Sequence, residues 1–435
     1  MICFASKWTS VVVTTSLHFL VDGLCLCCLY LIQPRDAEEL LALFLTYNLL
    51  AFTTQPLTGW WTDHLRRLHW VLLLSIGLLT TAVILLMVSG QQLQASSLFY
   101  WLVAILLGMG NSLFHVWGGK TTVMVAGNDM RALGIFVSTG AVGLVVGMTC
   151  AGWWLAAGML LTMALIGGFA VHIPVSNGKS VPQVSKQPDH ESLTYLWLIP
   201  ILIFVLTRSF LGETLPSSLE KNNALLFVLA ATAMVGKAGG GWVARKWGVG
   251  TSIVACVGVA AACLLWTISG TNRLPAVLIG VLTINFTMPM TLYLANRVLP
   301  EREGAAFGLL AAVLIPGYLF AHMSAPLPFP IDFMLAALLL TISVELGMLR
   351  LLGERRRKVF IGAVVLNILT NIPLNLILIW IGSSVTTLAI GELLVLLVET
   401  IGYYILVRNW KQSIIYSLLC NATSFLVGAL IQLIT

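Results

Sequence analysis

The chain is built of long apolar runs separated by short polar breaks. Runs near the ~20 residues that a helix needs to cross a bilayer fall at 8–32, 40–61, 69–90, 97–126, 132–154 and 156–173. The stretch PVSNGKSVPQVSKQPDHES follows, rich in Pro, Ser, Gly and charge. Such a segment does not stay helical in lipid and reads as a solvated linker. Six more runs come at 194–216, 223–244, 250–269, 274–298, 304–323 and 331–352. The charged knot GERRRK (353–358) precedes a last three, at 359–382, 385–407 and 412–434. Backbone groups in hydrocarbon must bond within their own segment, so each run predicts a helix. The expectation is an all-α membrane protein of about fifteen spans. An N-terminal six-helix half covers 1–173, a linker 174–193, a second six-helix half 194–353 and a three-helix unit 354–435. The first run is too long for a cleaved signal and lacks an A-x-A-like exit, so it reads as a span.

Composition agrees. Of 435 residues, 59% are hydrophobic and 9% charged, against roughly a quarter charged in soluble domains. The net charge of +6 does not indicate nucleic acid, because the cations collect in alternate loops. Arg66, Arg67, Arg131, Arg245, Lys246 and the GERRRK cluster fall on one side, and only Arg35, Lys221 and Arg273 on the other. The positive-inside rule then places the N-terminus, the linker and GERRRK in the cytoplasm, and Thr435 outside the cell membrane. The 8 cysteines give no disulfide framework, and Cys25, Cys27 and Cys28 read as mid-helix packing residues rather than metal ligands.

One pattern occurs twice. GWWTDHLRR (59–67) lies between the second and third runs, and GWVARKWG (241–248) between the eighth and ninth. Gly241 and Trp242 match Gly59 and Trp60, but Arg245 stands where Asp63 stood. Gly59, Asp63, Arg66 and Arg67 in a six-plus-six arrangement resemble the major facilitator superfamily. Within it the chain is similar to the fosmidomycin-resistance branch. HFLVDG, with His18 and Asp22, resembles that branch's His-x-x-x-Asp in helix 1. GMGNSLFHVWGGK (108–120) looks like its Phe-His-Pro segment, with Val116 for the proline. LTRSFLGETLP carries Arg208 where that branch has an arginine. The resemblance spans residues 1 to about 352; the last three helices have no counterpart in it. It implies two six-helix bundles related by a pseudo-two-fold, a substrate path lined by helices 1, 4, 7 and 10, and alternating access by rocking of the halves. It also implies that Gly59, Asp63, Arg66 and Arg67 gate the cytoplasmic face. Met148 in GAVGLVVGM replaces the proline of the motif associated with antiporters. That change and the missing acid in the second loop weigh against an export role.

Polar groups at mid-membrane are costly and normally face a cavity or a partner. They concentrate on the expected helices. His18 and Asp22 lie one turn apart on one face, as do Asn111 and His115. Arg208 and Glu213 lie on helix 7, and Asn285 on helix 10 beside Thr283 and Thr287. Asp22 is the first candidate for proton coupling, with His18 or His115 sharing the role. The competing reading is a set of interhelical hydrogen bonds. Arg208 is the candidate to grip an anionic group of the substrate, with Glu213, Asn111 and Asn285 as further contacts. Its competing reading is an ion pair with Glu213 or Asp22. Lys120 and Lys237 are each open between cavity and snorkelling roles. The last helices carry a polar seam of Asn367, Asn371 and Asn375 every fourth residue, facing Glu392 and Glu399; glue between helices and a second ion or docking site are both open.

These residues predict a secondary active transporter of a small polar or amphiphilic solute, driven by protons or sodium, without cofactor, metal or nucleic acid. The alternatives are a drug or metabolite exporter, or a transporter-derived sensor whose last helices bind a membrane-protein partner. An intramembrane enzyme is excluded by the lack of HExxH spacing or a Ser-His-Asp set.

Overall fold

The computed structural model describes residues 7–32, 36–90, 97–173, 197–220, 222–269, 272–324, 331–381 and 385–434. The expected linker, 174–193, lies outside them. Fourteen of the described helices are long and apolar enough to cross a membrane. They are α1 (Lys7–Leu31), α2 (Ala37–Asp63), α3 (His69–Val88), α4 (Leu98–Ala126), α5 (Met130–Thr149), α6 (Trp153–Ala170), α7 (Leu198–Ser217), α8 (Asn223–Trp247), α9 (Val249–Ile268), α10 (Arg273–Val298), α11 (Glu303–His322) and α12 (Ile331–Leu351). The C-terminal helices are α13 (Arg357–Ile381), α14 (Val385–Val407) and α15 (Trp410–Ile434), the last being a fifteenth long helix. Each matches one apolar run of the sequence.

Four helices are broken, three of them where a proline supplies the break. α2 is interrupted at Thr54, before Pro56, and α10 at Thr287, before Pro289. α11 is interrupted at Val313, before Pro316. Proline removes an i→i−4 bond and crowds the preceding turn. α5 breaks at Thr139, before Gly140 and without proline; there the Thr139 hydroxyl donates to the Thr15 carbonyl of α1 at 2.8 Å.

The chain packs as two compact units. The first lies within Met1–Gly212, Glu220–Gly248 and Asn285–Phe320. Its core runs from Leu17 and Leu24 on α1 through Phe114 and Trp117 on α4 to Leu310 on α11. Small residues let its helices touch backbone to backbone, as membrane packing without a hydrophobic drive requires. A Cβ on Gly59 would meet the Gly304 backbone at the start of α11. A Cβ on Gly241 would meet the Met130–Arg131 backbone at the start of α5. The recurring sequence pattern thus makes the same contact twice, α2 on α11 and α8 on α5, as two halves related by a pseudo-two-fold do. Gly240 packs in the same manner on the Phe286 carbonyl of α10.

The second unit lies within Glu213–Leu219, Val249–Ile284 and Ala321–Thr435. Here α12 packs on α9, α13 and α15, and α14 on α13 and α15. A small core of Leu349, Val359, Ala363, Tyr403, Tyr416 and Cys420 joins α12 to the last three helices.

Candidate functional site

The helical one-turn spacings bring two polar pairs face to face in the first unit. His18 and Asp22 of α1 are 5% and 7% exposed, and Asn111 of α4 is 3% exposed. Nε2 of His18 is 3.2 Å from Asp22 Oδ2, and Nε2 of His115 is 3.5 Å from Asp22 Oδ1. The Asn111 amide donates to Asp22 Oδ1 at 3.1 Å. Gly140, at the break in α5, closes over this group; a Cβ there would overlap Asp22 Oδ2 and His18 Nε2.

Hydrogen-bond partners assign the imidazole protons. Nδ1 of His18 is 2.7 Å from the Phe136 carbonyl, and Nδ1 of His115 is 3.0 Å from the Asn111 carbonyl. A carbonyl oxygen only accepts, so both rings carry a proton on Nδ1. In the neutral rings both Nε2 atoms are then bare, yet they stand 3.0 Å apart. Two lone pairs at that distance repel. One proton between them turns the contact into a hydrogen bond, and the Asp22 carboxylate balances the added charge. The geometry thus has a place for one proton between the two rings.

This cluster forms one wall of a cavity of about 190 Å³. His18, Asp22, His115, Gly140, Arg208 and Lys237 line it, with Gln55, Thr291 and an apolar remainder that includes Phe52, Val137, Met288, Leu292 and Phe307. Of the residues expected to touch substrate, Arg208 lines the cavity. Asn111 stands behind it, bonded to Asp22. Glu213 and Asn285 are not among the lining residues. Arg208 is 8% exposed, its Nε has no hydrogen-bond partner, and it makes no ion pair among the described residues. The expected alternative of a pair with Glu213 or Asp22 does not form. Lys237, left open by the sequence, lines the cavity through α8, whose glycines 239–241 bring that backbone close to α5 and α10. By spacing alone His18, Asp22 and His115 admit a metal ion, their ligand atoms lying within 4.8 Å of one another. Two cationic side chains on the same lining oppose a divalent charge there.

The GWWTDHLRR loop builds a second constellation. Asp63 Oδ1 accepts from the Gly304 amide at 2.9 Å and Oδ2 from the Ala305 amide at 2.9 Å. These are free N–H groups in the first turn of α11, where a carboxylate both caps and meets the positive end of the helix. Lys120 Nζ donates to Asp63 Oδ1 at 2.8 Å and to the Thr62 carbonyl at 3.0 Å. Lys120 is 6% exposed, so it is a buried partner of Asp63 and does not snorkel. Arg66 and Arg67 are exposed and line a small crevice with Trp117. In the second copy of the pattern the cap on α5 comes from its own N-cap residue, Asp129. Its carboxylate accepts from the Arg131 amide at 2.9 Å and pairs with Lys7 at 2.6 Å and Arg131 at 2.8 Å. The acid absent at Arg245 is thus supplied from the other side of the contact, which a comparison of the two loops alone does not show.

In the second unit the asparagine stripe runs Asn375 to the Asn371 carbonyl, Asn371 to Asn367 Oδ1, and Asn367 to Glu345 Oε2 at 2.6 Å. Glu399 is bonded by Thr370 at 3.1 Å and by Asn421. Glu345 and Glu399 are fully buried, while Glu392 is half-buried. The seam therefore centres on Glu345 and Glu399. Glu345 is not among the residues the sequence singles out, because it lies within about two turns of Arg350 and GERRRK and resembles a helix-end charge.

The sequence pattern of the Major Facilitator Superfamily matches residues 36–320. No curated protein matches the chain. Among solved structures, a variant of the E. coli fucose:proton symporter FucP superposes with a TM-score of 0.57 at 10% identity, covering 81% of this chain and 100% of that one. A bacterial homologue of the iron transporter ferroportin, in an outward-facing state, gives 0.53 at 16% identity, covering 85% and 99%. At these identities the likeness is one of fold.

Proposed function

The chain belongs to the Major Facilitator Superfamily, and from that premise we propose that it is a proton-coupled secondary active transporter of a small polar or amphiphilic solute across the cell membrane. The observation that carries the coupling is the pair of facing Nε2 atoms, 3.0 Å apart, beside the Asp22 carboxylate on the cavity wall. Asp22 holds the countercharge, His18 and His115 take and release the proton, and Arg208 contacts the solute. The halves 1–173 and 194–353 rock about the cavity to give alternating access. The capped contact of Asp63 with α11 holds one end shut, the cytoplasmic end by the distribution of Lys and Arg. That a proton symporter shares the fold supports the reading.

The test is pH-jump proton movement in proteoliposomes, with a panel of organic anions, sugars and cationic drugs. Proton flux that depends on one compound is expected, and its direction separates uptake from export. Asp22→Asn is expected to abolish that flux while expression and melting profile stay near wild type. Wild-type coupled flux in Asp22→Asn removes the assignment, and sodium-dependent flux without proton movement replaces the coupling ion.

A further inference from the structure

The charges around the cavity do not balance. Every titratable or charged group on its lining can be named: His18 and Asp22 from α1, His115 from α4, Arg208 from α7 and Lys237 from α8. The one acid, Asp22, is engaged by His18, His115 and Asn111. Arg208 is more than nine-tenths buried with an unpartnered Nε. Lys237 makes no side-chain hydrogen bond or ion pair among the described residues, and it stands within electrostatic reach of Arg208, Asp22 and His115. Two like charges at membrane depth, neither with a counter-ion of its own, are among the costliest arrangements a protein can hold.

Two unpaired cations facing one cavity match an anionic ligand. We infer that the transported solute is a small organic carboxylate, held by the Arg208 guanidinium with Lys237 as the second cationic contact. A guanidinium offers two parallel N–H donors that match a planar carboxylate, and an ammonium adds a point charge without directional demand. Apart from Gln55 and Thr291 the remaining lining is apolar, so the carboxylate carries a short, mostly apolar body. A cavity of about 190 Å³ lies below the usual range of ~300–1,000 Å³ for drug-sized ligands, which limits that body to a few carbons. The inference also supplies a reason for coupling. A proton added between His18 and His115 raises the positive charge facing the anion. By linkage a bound anion then favours the proton by the same factor that the proton favours the anion.

This inference rests on the transport reading in calling the ligand a cargo, so the experiment measures binding without a gradient. Purified full-length protein is melted in detergent with increasing lactate, succinate or inorganic phosphate. Lactamide serves as the neutral isostere of lactate, and choline as a cation. A carboxylate is expected to raise Tm in a saturable manner, more steeply at pH 6 than at pH 8, with no response to lactamide or choline. Arg208→Met and Lys237→Met are each expected to weaken that response at least tenfold. Both are also expected to melt higher than wild type without ligand, since each removes an unpaired buried charge; a structural ion pair would give the opposite. Should either fail to fold, Arg208→Lys and Lys237→Gln replace it with the same expected loss. The inference is overturned by an equal response to lactamide or choline, by a response to phosphate alone, by wild-type affinity in the variants, or by no carboxylate response at all. Carboxylate binding without coupled flux keeps the site and removes the coupling reading. Coupled flux of a neutral solute without carboxylate binding does the reverse.

Discussion

Gly140 has no side chain at the one point where α5 would otherwise press on Asp22 and His18. Those atoms are side-chain ends and can swing away, so a methyl there displaces the His18–Asp22 pair, the proposed proton site, without breaking the backbone. Gly140→Ala is therefore expected to keep a near-normal melt and to lose most proton-coupled flux, and wild-type flux would show that the cluster is not the coupling site. The pairs His18–Asp22 and Asn111–His115 were legible in the sequence because four-residue spacing fixes a shared helix face. That both histidines bond carbonyls through Nδ1 and so point bare Nε2 atoms at each other was not legible, since it depends on the fit between α1, α4 and α5. Lys120 and Lys237 were ambiguous for a related reason. A long flexible side chain reaches either an interface or a cavity, and only the neighbour decides.

At the level of the helix, the capping of α11 by Asp63 is the contact most open to dissection. Loss of a cap costs roughly 0.5–2 kcal/mol, and stranding a buried cation costs more, about 3–5 kcal/mol when a buried pair loses one partner. Asp63→Ala does both, because Lys120 stays behind. Its melt is expected to fall further than that of Lys120→Met, and Asp63→Ala/Lys120→Met to recover part of the loss. Additive effects would mean the two side chains act independently. The same logic applies to the last helices. Asn367→Leu leaves Glu345 without its donor and is expected to lower Tm, whereas Glu345→Leu combined with it restores much of the loss, as measured by thermal unfolding. Spans were legible because hydropathy reports the solvent of each segment. The breaks at Thr54, Thr287 and Val313 could have been read from Pro56, Pro289 and Pro316. The break at Thr139 has no such signal, since it depends on a hydroxyl bonded to another helix.

Across the whole molecule, acid sensitivity follows from carboxylates outside the bilayer. Hydrogen bonds from the Arg356 guanidinium, against the effect of burial, hold Glu354 down to about 2. Burial acts to raise the Asp129 carboxyl, but bonds from Arg131 and Lys7 outweigh it and hold it well below the usual range. A depressed carboxylate stabilises the fold above its unfolded pKa, and that contribution is lost as pH falls toward the folded value. Melting temperature is expected to drop between about pH 4.5 and pH 2. Glu354→Gln should lower the neutral-pH melt and flatten that part of the profile; an unchanged slope would assign the acid loss to other groups. The division into two compact units was not legible in the sequence, because hydropathy counts spans without saying which ones touch.

The closest approaches between α2 and α11 are made by main chain. Gly59 faces Gly304, and Gly308 faces the Gln55 carbonyl, so two stretches of main chain rest on one another. Such a joint has few rotamers to sort in parting or closing, chiefly those of Thr62 and Asp63. In the proposed gate this joint and the Asp63 bonds form or part together, like a bolt that is home or drawn. A single methyl on Gly59 is a wedge in the jamb of that proposed gate: Gly59→Ala is expected to lose turnover while the melt stays near normal, and wild-type flux would remove the gating role.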